Sequence, residues 1–197
     1  MYFCRTDFYV MNETLKKAVE VLRQGGVILY PTDTIWGLGC DATNATAVQR
    51  IYDIKQRTNS KAMLVLIDSS AKLQGYVREV PDIAWDLIDL SEKPLTIIYS
   101  GAKNLAENLV AEDGSIGIRI TRETFSKRLC EQFRKPIVST SANISNTTAP
   151  KSFSEIDENI KKNVDYIVDY RQNEKIKATA SSIIKLEVNG QITIIRK

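Results

Sequence analysis

Short apolar runs alternate with segments of helical period along this chain, and that alternation restricts its fold more than any other feature. Leu15, Ala18, Val19 and Leu22 recur at helical spacing after Asn12, a candidate N-cap, and Gly25-Gly26 ends the pattern. Val48, Ile51 and Ile54 share one helical face after Asn44 or Thr46. Ala84, Leu87 and Ile88 do so after Pro81, a residue favoured at the first helical position. Phe125, Leu129 and Phe133 mark a helix over 122–133, and a further helix is expected around 154–162. Between them, residues 27–30, 63–67, 95–99, 116–120, 137–139 and 166–168 read as short buried strands, with a turn-rich segment over 31–42. Near the end, 182–187 and 191–195 flank Asn189-Gly190, a strong hairpin signal. Helices alternating with strands, closed by a hairpin, predict an α/β fold with a twisted mixed sheet flanked by helices. A chain of 197 residues suits a single domain over 1–197. In such sheets ligands collect where strands end, so a concave cavity is expected there.

Composition then removes whole classes of chemistry. The chain has no histidine, which excludes Ser-His-Asp and Cys-His mechanisms and His-ligated metals. Its three cysteines, Cys4, Cys40 and Cys130, lie far apart, against a disulfide framework or a thiolate zinc cluster. No protein-bound metal site is expected. A net charge of +3 permits an anionic ligand without indicating nucleic acid by itself. No run is long and apolar enough to span a membrane, and the N-terminus lacks a signal-peptide apolar region, so a cytoplasmic protein is expected.

Five polar segments sit where ligands would gather. Thr32 and Thr34 offer hydroxyls, Trp36 a flat apolar face, and Gly37 and Gly39 close backbone approach; the plain alternative is a tight turn with Asp33 bonding its own backbone. Lys55, Arg57 and Lys61 cluster after a helix, where they could hold polyphosphate or merely complement the helix dipole. Ser139-Thr140-Ser141-Ala142-Asn143 is a donor-rich stretch after a strand, fit for phosphate or for an ordinary cap. Arg119, inside the apolar run after Ser115, needs either a partner or a ligand, unless its strand lies at an edge. Ser181 and Arg196 read alone as surface residues. The P-loop pattern G-x-x-x-x-G-K-S/T and the G-x-G-x-x-G stretch are both missing, so any ATP site is of another type.

Taken in order, these segments resemble the YrdC family. Pro31-Thr32-Asp33-Thr34 with Gly37-Leu38-Gly39-Cys40-Asp41-Ala42 matches its opening motif, Lys55 and Arg57 its K-x-R motif, and Ser141 and Asn143 its S-x-N motif. Pro94-Leu95-Thr96, Gly117-Ile118-Arg119, Ser181 and Arg196 follow in register, so the resemblance covers roughly 12–197. Glu92-Lys93 before Pro94, Trp36, Thr58, and Asn146-Thr147-Thr148-Ala149 depart from the family pattern. The resemblance implies a single-domain synthase, a nucleotidyltransferase, that makes threonylcarbamoyl-AMP and pyrophosphate from L-threonine, bicarbonate and ATP. A threonylcarbamoyl transferase complex would pass the group to an adenosine of tRNA. By the same match Lys55, Arg57, Ser141 and Asn143 are catalytic. Arg57, Lys61, Ser115, Ser141 and Arg196 hold ATP, and Mg²⁺ arrives with it. Thr34, Trp36, Arg119, Ser139 and Ser181 hold threonine, with Arg119 on its carboxylate. The alternative is a non-catalytic relative that binds double-stranded RNA or associates with ribosomes; a hydrogenase-maturation relative would need zinc-finger cysteines.

Overall fold

The computed structural model describes residues 5–57, 63–174 and 179–197. Six helices are described: α1 (Arg5–Arg23), α2 (Ala45–Ile54), α3 (Leu73–Tyr76), α4 (Ile83–Leu90), α5 (Thr124–Phe133) and α6 (Glu158–Lys162). Nine strands are β1 (Ile28–Tyr30), β2 (Gly37–Gly39), β3 (Leu64–Ile67), β4 (Leu95–Tyr99), β5 (Ile116–Ile120), β6 (Ile137–Ser141), β7 (Tyr166–Ile167), β8 (Ser182–Leu186) and β9 (Ile192–Arg196). They form one mixed sheet in the order β7-β1-β2-β6-β3-β5-β4-β8-β9. The expected α/β architecture is therefore present. No described helix is long and apolar enough to cross a membrane.

Strand alternation assigns the two faces. Leu64 and Leu66 point to one side of β3, Val65 and Ile67 to the other, because successive side chains alternate. On the first side Leu66 joins Ile28, Tyr30 and Ile137 in a core closed by Leu15, Val19 and Leu22 of α1 and by Phe125, Leu129 and Phe133 of α5. On the second side Val65, Ile67, Ile97, Ile118 and Val138 pack beneath α2, α3, α4 and α6, through Val48, Ile51, Leu73, Ala84 and Ile160. The helices α1 and α5 cover only part of the first face. The part they leave bare carries the polar residues described below.

Three local readings are corrected. Asn12 does not cap α1, which begins at Arg5; Met11 is buried and extends the apolar stripe one turn back, so Asn12 lies inside the helix. The turn-rich segment contains β2, which pairs with β1 and β6. Gly-Leu-Gly has no strand propensity, but a Cβ on Gly39 would stand 2.6 Å from Tyr30 Cε1 and 3.0 Å from the Val138 carbonyl. Only glycine lets β1 and β6 approach β2 from that side. Finally, Ser139-Thr140-Ser141 does not follow its strand; β6 runs through Ser141, which pairs with Gly37. The cap on α2 is Asn44, whose side chain accepts from the Ala47 N–H at 3.1 Å.

Candidate functional site

Register places the polar residues on one patch. Arg119 lies opposite Leu66 of β3 and Thr96 of β4, and Ser139 lies opposite Leu64. All five positions share the first face of the sheet. Ile183 of β8 lies opposite Thr96, and Arg196 of β9 opposite Ile183, so the row continues to the sheet edge. Above this row is a cavity of about 230 Å³. Its walls include Thr34, Trp36, Arg57, Arg119, Ser139, Ser141, Ser181 and Arg196, drawn from six separate stretches of chain.

Each side chain reaches the cavity by a local device. The end of α2 explains Arg57. Gln56 takes a left-handed backbone (φ 50°), its N–H donates to the Asp53 carbonyl, and the Arg57 N–H donates back to the Tyr52 carbonyl. This close of the helix turns Arg57 out of its axis and into the cavity. Thr34 is set by Thr32, whose Oγ1 accepts from the Thr34 N–H at 3.1 Å and donates to the Ile35 carbonyl at 2.8 Å. Trp36 is held by the ring of Phe153, 4.8 Å away between centroids.

Arg119 is 3% exposed and its Nη2 lies 3.1 Å from Asp33 Oδ1. Asp33 thus does not merely bond its own turn: it is the counter-charge that an arginine in an apolar strand requires. Burial pushes the Arg119 guanidinium down and the Asp33 carboxyl up, and each opposes the other's shift. Arg119 Nε has no hydrogen-bond partner among the described residues. A second fixed unit joins β4, β8 and β9. The Thr96 and Ser181 hydroxyls are 2.9 Å apart, and Arg196 donates from Nε to the Ser181 carbonyl at 2.9 Å.

Lys55 and Asn143 have a different place. Neither lines the cavity. Lys55 is 1% exposed, and its ammonium donates to the carbonyls of Ser141 and Asn143. Asn143 accepts from the Ser141 hydroxyl and donates to the Thr147 carbonyl at 2.7 Å. The pair therefore builds the bend that presents Ser141. Burial, then the neighbouring Arg57, lowers the Lys55 ammonium to about 7. Asn146 adopts φ 67° in this bend, a conformation asparagine tolerates.

Ser115 also lies outside the cavity wall. It precedes β5 on the same alternation as Gly117 and Arg119, and its N–H is taken by Asp113 Oδ1 at 3.0 Å. Lys61 and Thr58 fall outside the described residues. Asp33 and Thr96 are the contributions that pattern reading missed. The signal for Asp33 was Arg119 itself, since a buried cation calls for an anion; Thr96 gave no signal beyond its motif. Among the described residues no three His, Cys, Asp or Glu side chains gather as a metal cluster. The arrangement presents three guanidiniums and several hydroxyls to one concavity with one carboxylate already paired, which suits an anionic, many-oxygen ligand.

Comparisons with known proteins agree. Residues 20–197 match the Sua5_yciO_yrdC family model, described as "Telomere recombination". A threonylcarbamoyl-AMP synthase of Pseudoalteromonas translucida is 36% identical over 184 residues, 92% of this chain and 97% of that protein. The crystal structure of E. coli YciO superposes with TM-score 0.81 at 25% identity, covering 94% of this chain and 89% of that one. Sua5 of P. abyssi, crystallised with L-threonine, gives TM-score 0.78 at 25% identity over 87% of this chain, which spans only 50% of that longer one. The mixed sheet, the cavity on its bare face and these matches together mean that the chain belongs to the Sua5/YciO/YrdC family.

Proposed function

We propose that this protein is a nucleotidyltransferase that makes threonylcarbamoyl-AMP and pyrophosphate from L-threonine, bicarbonate and ATP. The observation that carries the reading is the convergence of Arg57, Arg119 and Arg196 with Ser139, Ser141 and Ser181 on one cavity. Threonine amine and bicarbonate combine to a carbamate with loss of water. A carbamate oxygen then attacks the α-phosphorus, and pyrophosphate leaves. Charge accumulates on phosphate oxygens, and prepositioned cations and donors stabilise it. A carboxylate-like nucleophile needs no strong side-chain base, consistent with a chain lacking histidine.

In this scheme Arg119 takes the threonine carboxylate through the Nε and Nη edges that Asp33 does not fill. Thr34, Ser139 and Ser181 bond the polar groups of threonine, and Trp36 packs on its methyl. Arg57, Ser141 and Arg196 stabilise the phosphates, with Lys61 and Ser115 extending the ATP site. Lys55 and Asn143 act by positioning Ser141. Mg²⁺ travels with ATP, held mainly by phosphates and water. The product, a reactive mixed anhydride, passes to a threonylcarbamoyl transferase complex that modifies tRNA in the cytoplasm.

The test is pyrophosphate release by the purified protein with ATP and bicarbonate, with L-threonine, with L-serine and with neither. Threonine-dependent release, weaker with serine, is expected. Folded protein that releases none would remove the reading and favour the RNA-binding relative.

A further inference from the structure

One edge of the sheet is open. Among the described residues nothing pairs with the outer side of β9, the last strand in the order. Every residue of β9 is exposed, Ile194 at 60% and Ile195 at 56%. Edge strands are ordinarily blunted by charge, by proline or by a bulge, because an unpaired backbone recruits another strand. Residues 191–195 contain neither charge nor proline. The one bulge in the β8–β9 ladder falls at Ile195 and leaves 192–194 regular. The ladder also shows which backbone groups are free. Glu187 donates its N–H to the Gln191 carbonyl at 3.0 Å, so that pair is bonded, and bonded and unbonded pairs alternate along an antiparallel ladder. Leu186 with Ile192, and Ile184 with Ile194, are therefore unbonded pairs. The N–H and C=O groups of Ile192 and Ile194 point outwards, and those of Thr193 point inwards to Lys185. Both isoleucine side chains lie on the second face, beside Ile184 and Leu186 of its core.

We propose that β9 pairs antiparallel with β9 of a second copy of this chain, about a two-fold axis through Thr193. The strand is its own complement in that register. Ile192 of each copy lies opposite Ile194 of the other, and their four outward groups bond mutually. Isoleucine meets isoleucine on the second face, a favourable cross-strand pair, and threonine meets threonine on the first. Neighbouring registers lose this match. Centring on Ile192 sets Ile194 against Gly190 of the turn, and centring on Ile194 sets Ile192 against Arg196, past the bulge. Charge agrees as well: Lys197 of one copy comes beside the turn 187–190 of the other, which carries Glu187 and no cation. The pairing also bears on the cavity. Arg196 lines it from β9 and donates to the Ser181 carbonyl at 2.9 Å, so a second copy steadies the least supported wall. Pyrophosphate release per subunit should therefore rise as copies pair. That coupling rests on the proposed function; the pairing does not.

Sedimentation equilibrium of the full chain, from low micromolar to near-millimolar concentration, should show a monomer passing to a dimer. Ile194→Lys, at an exposed position, sets cations across the two-fold axis and should leave a folded monomer throughout. Amide exchange at Ile192 and Ile194 should be fast in dilute protein and slow in concentrated protein. Register is read by cross-linking in a Cys4→Ser background, since Cys40 and Cys130 are buried. Thr193→Cys faces itself in an unbonded pair, at a Cα separation that suits a disulfide, and should cross-link under copper phenanthroline roughly tenfold faster than Val188→Cys. A monomer at every concentration would overturn the second copy as occupant and leave the edge to a strand of another protein. A dimer that survives Ile194→Lys, or equal cross-linking at 188 and 193, would overturn the interface. Release per subunit that is constant while dimer forms would overturn the coupling. A dimer with this register that releases no pyrophosphate would uphold the pairing while the synthase reading fell.

Discussion

Arg57 and Ser141 are the side chains on which transition-state charge should fall most directly. Replacing either by alanine removes a donor from the cavity without disturbing a core contact. We expect adenylate formation to fall by roughly 10²–10³-fold, the range for loss of one prepositioned donor, with thermal unfolding nearly unchanged. Normal turnover in a folded variant would contradict the assignment. Lys55 should behave otherwise, because its ammonium lies beneath the loop rather than in the cavity. Lys55→Met leaves two carbonyls short of a donor, at about 1–3 kcal/mol for each buried group left unsatisfied, and releases Ser141. Both stability and activity should drop. Its effect on stability should also depend on pH. The folded value of about 7 lies below that of an ordinary lysine. Between the two values the unfolded chain keeps a proton that the folded one has lost, so stability rises with pH through that window. Urea unfolding from pH 7 to 10 should show wild-type protein gaining on Lys55→Met; a constant difference would mean the lysine does not titrate there.

Elements were legible where their period was strong and obscure where contacts overrode propensity. The stripe Leu15, Ala18, Val19 and Leu22 announces α1, yet its first turns did not, because the apolar signal there is carried by Met11 after a mixed segment. Strand β2 was invisible for a different reason. Its glycines are demanded by neighbours that only the folded chain brings near, Tyr30 on one strand and Val138 on another. Two glycine replacements separate these causes. Gly39→Ala meets backbone as well as a ring and should cost about 1–3 kcal/mol, as overpacked sites do. Gly75→Ala in α3 meets nothing within 4 Å and should instead stabilise, by about 0.5–1 kcal/mol. Equilibrium urea denaturation reads both; similar losses would mean the close approach of β1, β2 and β6 is not what requires glycine.

Across the molecule, stability and function are unevenly spread. The strands β3, β5 and β6 are central and covered, whereas every residue of β9 is exposed, including Ile192, Ile194 and Ile195. Amide exchange should accordingly be slowest in the former and fastest in β9. Arg196 nevertheless sits on β9 and holds Ser181. ATP should therefore slow exchange in β9 more than in β3, since a ligand stabilises the segment it contacts. Exchange in β9 indifferent to ATP would separate Arg196 from the nucleotide site. What the chain alone determined was the alternation of elements and the candidate side chains, because period and motif are local. What only the tertiary structure decided was their division of labour. Arg57 and Arg119 face the cavity, Lys55 and Asn143 sit behind it, and Asp33 pairs with an arginine 86 positions away. Those outcomes depend on strand register and on which charges burial forces together, and neither is set by neighbours in sequence.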